Sequence, residues 1–272
     1  MKNSDDVVLD RIALIETHAH VLTTITTDFD CSPEQKLAFW RASKENVAVA
    51  EQRLQETDAW RTSFGIEALM QNDEWLARER AFRSVLMYDY LGTDRHGRPV
   101  MVERVGAWNV SAVLTAAAND ENDNNDAFLK LHCMACETLL HMDRPPCTVD
   151  GRGQVVIMDC AGLSVKHLSP TLAKAFGRLS SNDERHYPDT VAHIFVVNAP
   201  YVFKALSILI TPFMDKDTLS KVHVSSGIPH ELVDFLGADC LPVELGGSRR
   251  SLSPYDETAR PSVHPVRPDA VG

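Results

Sequence analysis

Two histidines near the start of the chain have a spacing that can bind a metal ion. His18 and His20 form an H-x-H pair, which on a β-strand would place both imidazoles on one face. The pattern is typical of metal-dependent hydrolases of the barrel class, which also need further ligands at other strand ends. The remaining histidines are scattered and form no second ligand motif. We therefore favour a polar N-terminal segment and keep the hydrolase as a remote alternative.

A second candidate lies between His132 and Cys136, which includes a C-x-x-C pair. Zinc or redox use of such a pair normally requires a second pair or a thioredoxin-like context, and the sequence offers neither. The segment has the pattern of a helix, so buried thiols are the favoured interpretation. The sequence also contains no G-x-S-x-G, P-loop or G-x-G-x-x-G motif. We expect no catalytic residue, no metal site and no cofactor.

The composition of the chain narrows the classes of function that remain open. The chain has 272 residues, a formal net charge of −11 and 44% hydrophobic residues, which argues against nucleic acid as the main partner. Six dispersed cysteines and the lack of a signal-peptide pattern indicate reduced thiols and a cytoplasmic protein. The most apolar stretch, 194–214, contains Asn198, Pro200, Lys204 and Pro212. It predicts a buried strand followed by an apolar helix rather than a membrane span.

The sequence pattern changes along the chain, and it predicts the helices and strands that would position any site. Amphipathic helices are predicted from Ser32, from Asn46 and from Asp73. Strands then alternate with helices, which implies a largely parallel sheet with crossover helices. The predicted strands are 88–91, 99–103, 155–159, 193–197 and 222–224.

Four parts of the chain follow from these changes. Residues 1–30 are expected to form a loosely attached N-terminal arm, and 31–84 a small helical domain. Residues 85–248 form the α/β domain. Residues 249–272, rich in Ser, Pro and Arg, are expected to be a disordered tail.

Five stretches of sequence recur together in one protein family. They are LAFWRASK (37–44), DRHGRPV (94–100), IMDCAG (157–162), VNAPYVF (197–203) and LPVELGG (241–247). In this order, across about residues 36–248, they resemble the CRAL-TRIO lipid-binding family and its phosphatidylinositol-transfer branch. The resemblance implies a mixed β-sheet that forms the floor of a lipid pocket, crossover helices, and a mobile gate helix at about 201–211. A small N-terminal helical domain precedes them.

The implied pocket must be apolar. Each buried methylene gains about 0.8 kcal/mol over water, so two exposed acyl chains would cost on the order of 20 kcal/mol. The gate-helix residues expected to line the pocket are Phe203, Leu206, Ile210 and Phe213. A fully buried core helix is the alternative for this apolar run.

The resemblance also implies a headgroup site. Thr218 and Lys221 match the residues that grip the phosphate, Asp189 matches the acid that meets inositol hydroxyls, and Lys44 matches a lysine of the N-terminal helix. One position departs, because Ser43 stands where that helix usually carries an arginine. One cation is therefore expected to be missing.

Phosphatidylcholine, the second lipid of that branch, is expected to bind weakly or not at all. Its site resembles a strand with small hydroxyl residues, and here those positions are Gln154 and Val156. Asp159, at the end of the same strand, is expected to stabilise a turn rather than to act as an acid.

The resemblance implies a non-enzymatic carrier, with a bound phospholipid as its ligand. It would exchange one lipid, most readily phosphatidylinositol, during transient contact with a membrane, and would have no nucleic-acid partner. The net negative charge opposes anionic bilayers, so Lys204, Lys216 and Lys221 would supply local compensation. Two alternatives stay open: a lipid-sensing scaffold or regulatory module, and a carrier of a sterol, tocopherol or retinoid. A lipid-kinase or other protein partner is not identified by the sequence.

Overall fold

The computed structural model describes residues 4–118, 126–140 and 153–250. The acidic, amide-rich segment at 119–125 and all but the first two residues of the expected tail lie outside these ranges.

The chain begins with a series of helices. They are α1 (Ser4–Thr17), α2 (Ala19–Thr24), α3 (Pro33–Ala42), α4 (Val47–Phe64), α5 (Ile66–Met70) and α6 (Asp73–Leu86). Ser32 caps α3, where its side chain and that of Gln35 each accept a hydrogen bond from the other's backbone amide. Asn46 and Asn72 cap α4 and α6, and the side-chain oxygen of each accepts a hydrogen bond from the backbone amide three residues later.

The N-terminal segment differs from the expected loose arm. Val21 and Ile25 are buried in one apolar cluster with Leu37 and Leu54, which belong to α3 and α4. Val21 and Ile25 are four residues apart, in α2 and at its C-terminal end, so their side chains lie on one face of this helix. The part of this segment from Leu14 onward thus packs onto the helical domain through a short apolar seam.

A mixed five-stranded sheet follows. Its strands are β1 (Tyr88–Thr93), β2 (Pro99–Glu103), β3 (Gln154–Asp159), β4 (Val191–Val197) and β5 (Val222–Val224). They lie in chain order, with β1 antiparallel to β2 and the other pairs parallel. The predicted strands and the crossover arrangement are confirmed.

Helices cover both faces of the sheet. They are α7 (Val110–Ala118), α8 (Ala127–Leu140), α9 (Pro170–His186), α10 (Phe203–Ile210), α11 (Lys216–Ser220) and α12 (His230–Leu236). Short 3₁₀ turns lie at Val105–Ala107, Val165–His167, Thr211–Phe213 and Val243–Leu245. Because strand side chains alternate, Val155 and Ile157 pack with Leu232 and Leu236 of α12 on one face. The other face is directed toward α8, α9 and α10.

Candidate functional site

A large cavity lies between that second face of the sheet and the surrounding helices. Its volume is about 1520 Å³, above the roughly 300–1,000 Å³ of pockets that hold drug-sized ligands. Aromatic and aliphatic side chains line much of it, among them Phe82, Trp108, Phe128, Met158, Phe176 and Leu206. The expected internal space for a large apolar ligand is present.

The helix α10 covers one side of the cavity. Leu206 and Ile210 line the cavity, whereas Ile208 points outward and is 68% exposed. No side chain of α10 is fully buried, although six of its eight residues are apolar. A fully buried core helix is therefore the wrong interpretation of this run, because the helix has one face on the cavity and one on the surface.

Phe213, in the 3₁₀ turn after α10, also lines the cavity. The hydroxyl of Ser180 on α9 donates a 2.7 Å hydrogen bond to the carbonyl of Phe213. Phe203 differs from its expected place, since it packs against the main apolar core and is not among the side chains that line the cavity. It is the first residue of α10, and its backbone amide is held by the carbonyl of Pro200.

Asp189 lies at the polar rim of the cavity, in the turn between α9 and β4. Its φ of 56° is left-handed, and its side chain reaches two cations from distant segments. Arg41 Nε of α3 lies 2.8 Å from Asp189 Oδ2, and Lys221 Nζ lies 3.3 Å from Oδ1. Asp189 therefore joins the N-terminal helical domain, the α9–β4 turn and the residue after α11.

Lys221 is the most enclosed lysine at this rim, with an exposed fraction of 8%. Besides Asp189, it pairs with Asp217, where Nζ and Oδ2 are 2.6 Å apart. Lys44 lines the same cavity from an exposed, left-handed position with φ 53°. The sequence-predicted residues Lys44, Asp189 and Lys221 are thus brought to one rim.

Thr218, the fourth of these residues, also lines the cavity. Its hydroxyl donates to Asp215 Oδ2 at 2.5 Å, and its amide donates to Oδ1 at 2.9 Å. Burial alone would raise the pKa of Asp215, but these hydrogen bonds from Thr218 outweigh it and lower that pKa. Asp215 therefore remains ionised as the N-cap of α11, and it orients the Thr218 hydroxyl.

One cation of this rim, Arg41, was not predicted from the sequence. Ser43 is buried, and its hydroxyl has no hydrogen-bond partner among the described residues. Arg41, two residues earlier, lines the cavity and contacts Asp189. The expectation of one missing cation counted only position 43. The signal that could have found Arg41 is its spacing of three from Lys44, which puts both near the end of α3.

These features can now be compared with known proteins. Residues 85–247 match the CRAL/TRIO domain. The chain belongs to the CRAL/TRIO domain family. The matched CRAL/TRIO region contains the whole sheet, α10 and the segments that carry Asp189, Thr218 and Lys221.

Relatives of this CRAL/TRIO protein include two with informative names. The phosphatidylinositol/phosphatidylcholine transfer protein SFH13 of Arabidopsis thaliana is 30% identical over 224 residues, which are 78% of this chain and 34% of that protein. The SEC14 cytosolic factor of Yarrowia lipolytica is 28% identical over 223 residues, which are 79% of this chain and 43% of that protein. The chain therefore spans less than half the length of either relative.

A solved structure supports the expected CRAL-TRIO fold. The structure titled "Crystal structure of Sfh5" matches with a TM-score of 0.60 and 16% identity, covering 97% of this chain and 95% of the other. The fold class predicted from the sequence is confirmed. Within the described ranges, the helices lack an apolar stretch long enough to cross a bilayer.

Two family motifs of this CRAL/TRIO domain have direct structural reasons. Asn198, in the N-A-P motif, has φ 53° and donates a 2.9 Å hydrogen bond to Asp159 Oδ1. The same oxygen accepts from the amide of Ala161 at 3.0 Å. The prediction that Asp159 stabilises a turn is confirmed.

Gln154 and Val156, the positions expected for a choline-lipid site, are buried, and neither is among the residues that line the cavity.

The histidine pair of the remote hydrolase alternative lies on helices rather than on a strand. His20 is in α2, and His18 is its N-cap residue. Residues two apart on a helix point in different directions, so their imidazoles do not share a face. His18 Nδ1 contacts the carbonyl of Leu14 at 2.9 Å, and its ring packs against Trp40. The strand that the hydrolase reading required is absent from this part of the described chain.

Titratable groups inside the cavity were not foreseen. Glu103, at the end of β2, lines the cavity, and burial raises the pKa of its carboxyl to about 7. His132 of α8 and Asp183 of α9 line it as well, with His132 Nε2 2.8 Å from Asp183 Oδ1. The interior of this CRAL/TRIO cavity therefore has an apolar part and a localised polar part.

Proposed function

We propose that this protein binds one phosphatidylinositol molecule in the cavity and exchanges it with membranes, without catalysing a reaction. The observation that carries the proposal is the combination of an apolar cavity of about 1520 Å³ with a polar rim that contains Arg41, Lys44, Thr218 and Lys221. The names of the relatives support it, since they describe phosphatidylinositol and phosphatidylcholine transfer.

The apolar part of the cavity would hold the acyl chains. A buried methylene gains about 0.8 kcal/mol relative to water, so a carrier must supply an environment close to that of the bilayer. Side chains such as Phe176 and Leu206 supply it here. Exchange is then nearly neutral in free energy, and the opening of the cavity sets its rate.

The rim would hold the headgroup. Arg41 and Lys221 can donate charge-assisted hydrogen bonds to phosphate, and the hydroxyl of Thr218 adds a directional donor. Asp189, which holds Arg41 and Lys221 in the structure, has acceptor oxygens for inositol hydroxyls. The Asp189 carboxylate thus keeps Arg41 and Lys221 in position when no lipid is bound, and the phosphate of a bound lipid would interact with the same two cations.

The outer surface of α10 would contact the membrane. Tyr201 is 98% exposed just before α10, and Ile208 projects from its outer face. Lys204 and Lys216, both exposed, would offset the net charge of −11 near an anionic bilayer. In this proposal the protein acts in the cytoplasm and associates with the membrane only transiently.

Native mass spectrometry of the protein purified from cells, followed by lipid extraction, tests the proposal. We expect one inositol phospholipid per chain. A transfer assay between vesicles that contain either phosphatidylinositol or phosphatidylcholine should then show movement of the inositol lipid, with little movement of the choline lipid. A sterol or retinoid as the dominant bound molecule, or dominant choline-lipid transfer, would overturn the assignment. Stable lipid binding without transfer would instead support a sensing role and contradict the carrier.

A further inference from the structure

Three potential metal ligands converge in the polar part of the cavity. His132 and Cys136 are four residues apart on α8, so their side chains lie on the same face. Asp183 of the neighbouring helix α9 faces them. His132 Nε2 lies 2.8 and 2.9 Å from the two Asp183 oxygens, and Cys136 Sγ lies 3.6 Å from Nε2 and 4.0 Å from Asp183 Oδ1.

These separations are close to those that a tetrahedral zinc ion requires. Zn–N distances of about 2.0–2.1 Å and Zn–S distances of about 2.3 Å imply ligand atoms about 3.3–3.6 Å apart at tetrahedral angles. The thiol and imidazole are already near this spacing. The imidazole and carboxylate would separate by about 0.5 Å, which a side-chain rotation of Asp183 can supply.

The donor types select the ion. A thiolate and an imidazole are soft or borderline ligands, which favour Zn²⁺ over Mg²⁺ or Ca²⁺. One thiolate and one carboxylate with a neutral imidazole carry two negative charges and neutralise Zn²⁺, which favours binding of the ion at a partly buried site.

The surroundings leave room for a fourth ligand. His132 and Asp183 both line the cavity, as does Glu103, whose carboxyl interacts electrostatically with His132. A metal held by the three side chains would therefore have its remaining coordination position open to the cavity. Such an open position is typical of zinc sites that bind water or a ligand oxygen.

We propose that His132, Cys136 and Asp183 bind one zinc ion at the wall of the cavity, with a water molecule in the fourth position. Its three ligands are different residues from those of the polar rim at Asp189 and Lys221. It does not use the C-x-x-C pair as a unit, because Cys133 Sγ is directed to the side-chain amide of Asn182, 3.7 Å away. Cys133 thus provides a matched control thiol on the same helix.

Metal titration of the full chain tests the site. The protein is stripped with a chelator and dialysed, and Zn²⁺ binding is then measured by calorimetry and by elemental analysis. We expect one zinc ion per chain. Loss of a direct ligand in Cys136→Ser or Asp183→Asn should weaken binding by more than the roughly 10- to 100-fold that supporting residues contribute. Cys133→Ser should bind zinc like the unmodified protein.

Cobalt substitution provides a readout that does not depend on the variants folding. Co²⁺ bound to the unmodified protein should give a thiolate-to-metal charge-transfer absorption, which disappears when Zn²⁺ is added. No zinc binding, the absence of that absorption, or equal binding by the Cys136→Ser and Cys133→Ser proteins would each overturn the proposal. Zinc binding is measured without lipid, so its failure would leave lipid transfer untouched, and a failure of lipid transfer would leave the zinc site standing.

Discussion

Gly177 of α9 lies directly under the ring of Phe213. A Cβ atom at position 177 would be 2.6 Å from Phe213 Cδ1 and 2.9 Å from Cγ, which is closer than carbon atoms pack. The absence of a side chain at Gly177 therefore allows the segment after α10 to close against α9. Ser180, one turn further along α9, holds the carbonyl of the same phenylalanine.

A Gly177→Ala substitution should loosen this closure. The alanine methyl displaces the Phe213 ring, and a loss of about 1 kcal/mol from the closed state would speed lipid exchange about fivefold. Alanine is the better helix former, by about 1 kcal/mol, so the free energy of unfolding should not fall. The measurement is the rate of lipid transfer between vesicles. A second substitution, Phe213→Leu, should restore part of the original rate, and an unchanged rate in Gly177→Ala would contradict the closure role.

Removal of the Lys221 ammonium should weaken transfer of inositol lipid selectively. A hydrogen bond between charged groups contributes about 1.5–3 kcal/mol, so Lys221→Ala should reduce transfer at least about tenfold. Asp189 keeps Arg41 as a partner, which limits the effect on folding. Lys166→Ala, at an exposed lysine that is not among the residues lining the cavity, is the control. Equal transfer by the two variants would remove Lys221 from the headgroup site.

A buried ion pair fastens the N-terminal helical domain to the cavity domain. Arg61 of α4 makes two hydrogen bonds to Glu137 of α8, at 2.6 and 3.2 Å, and the Glu137 side chain is 1% exposed. The hydroxyl of Tyr187 donates to the same carboxylate at 2.6 Å. The contact joins segments that the sequence analysis had assigned to separate domains.

Removal of only one partner of this ion pair should destabilise the folded protein. Arg61→Met removes the Arg61 guanidinium from a buried carboxylate and should lower the free energy of unfolding by about 3–5 kcal/mol, as measured by urea denaturation. Adding Glu137→Gln should recover much of that loss, since the amide still accepts from Tyr187. The surface pair Arg78–Glu74 is the comparison, with an expected cost below about 1 kcal/mol for Arg78→Met. Similar costs at both pairs would contradict the fastening role.

His186 should make stability depend on pH. Its ring stacks on Trp60, with centroids 4.0 Å apart. Burial, assisted by Arg185 and Arg53, lowers the pKa of His186 to about 4. The folded protein therefore binds fewer protons here than the unfolded chain, and stability falls as the pH drops from about 6.5 towards 4.

A His186→Phe substitution should remove this part of the pH dependence. The imidazole is partly exposed, so the loss in the unmodified protein should be on the order of 1 kcal/mol after solvent screening. Urea denaturation at pH 7 and pH 5 measures it. We expect a smaller stability difference between the two pH values in the variant, which keeps the aromatic stack. An unchanged difference would assign the pH dependence to other groups.

The local features of this chain could be read from its sequence. The predicted strands lie where apolar runs end at turn residues, and Ser32 with Gln35 forms the helix cap that their spacing indicates. Such features depend on residues a few positions apart. The family resemblance implied that Asp189, Thr218 and Lys221 belong to one site, and all three line one cavity.

Contacts between segments that are far apart along the chain were harder to predict from the sequence. Arg41 and Asp189 are 148 residues apart, and His132 and Asp183 are 51 apart. Neither pair has a periodic signal, since the first depends on how α3 lies beside the turn that carries Asp189, and the second on how α8 packs beside α9. The same applies to Phe203, whose apolar character fits either the cavity or the core.

By itself, the sequence determined the order of helices and strands, the mixed sheet and the residue types available at the cavity rim. Side-chain periodicity and turn chemistry act over a few residues, and they leave a readable pattern. Only the tertiary structure decided that Arg41 lies at the cavity rim beside Asp189, and that Asp183 lies beside His132 and Cys136. Those pairings follow from helix packing over the sheet, which brings together groups whose separation along the chain carries no information about their separation in space.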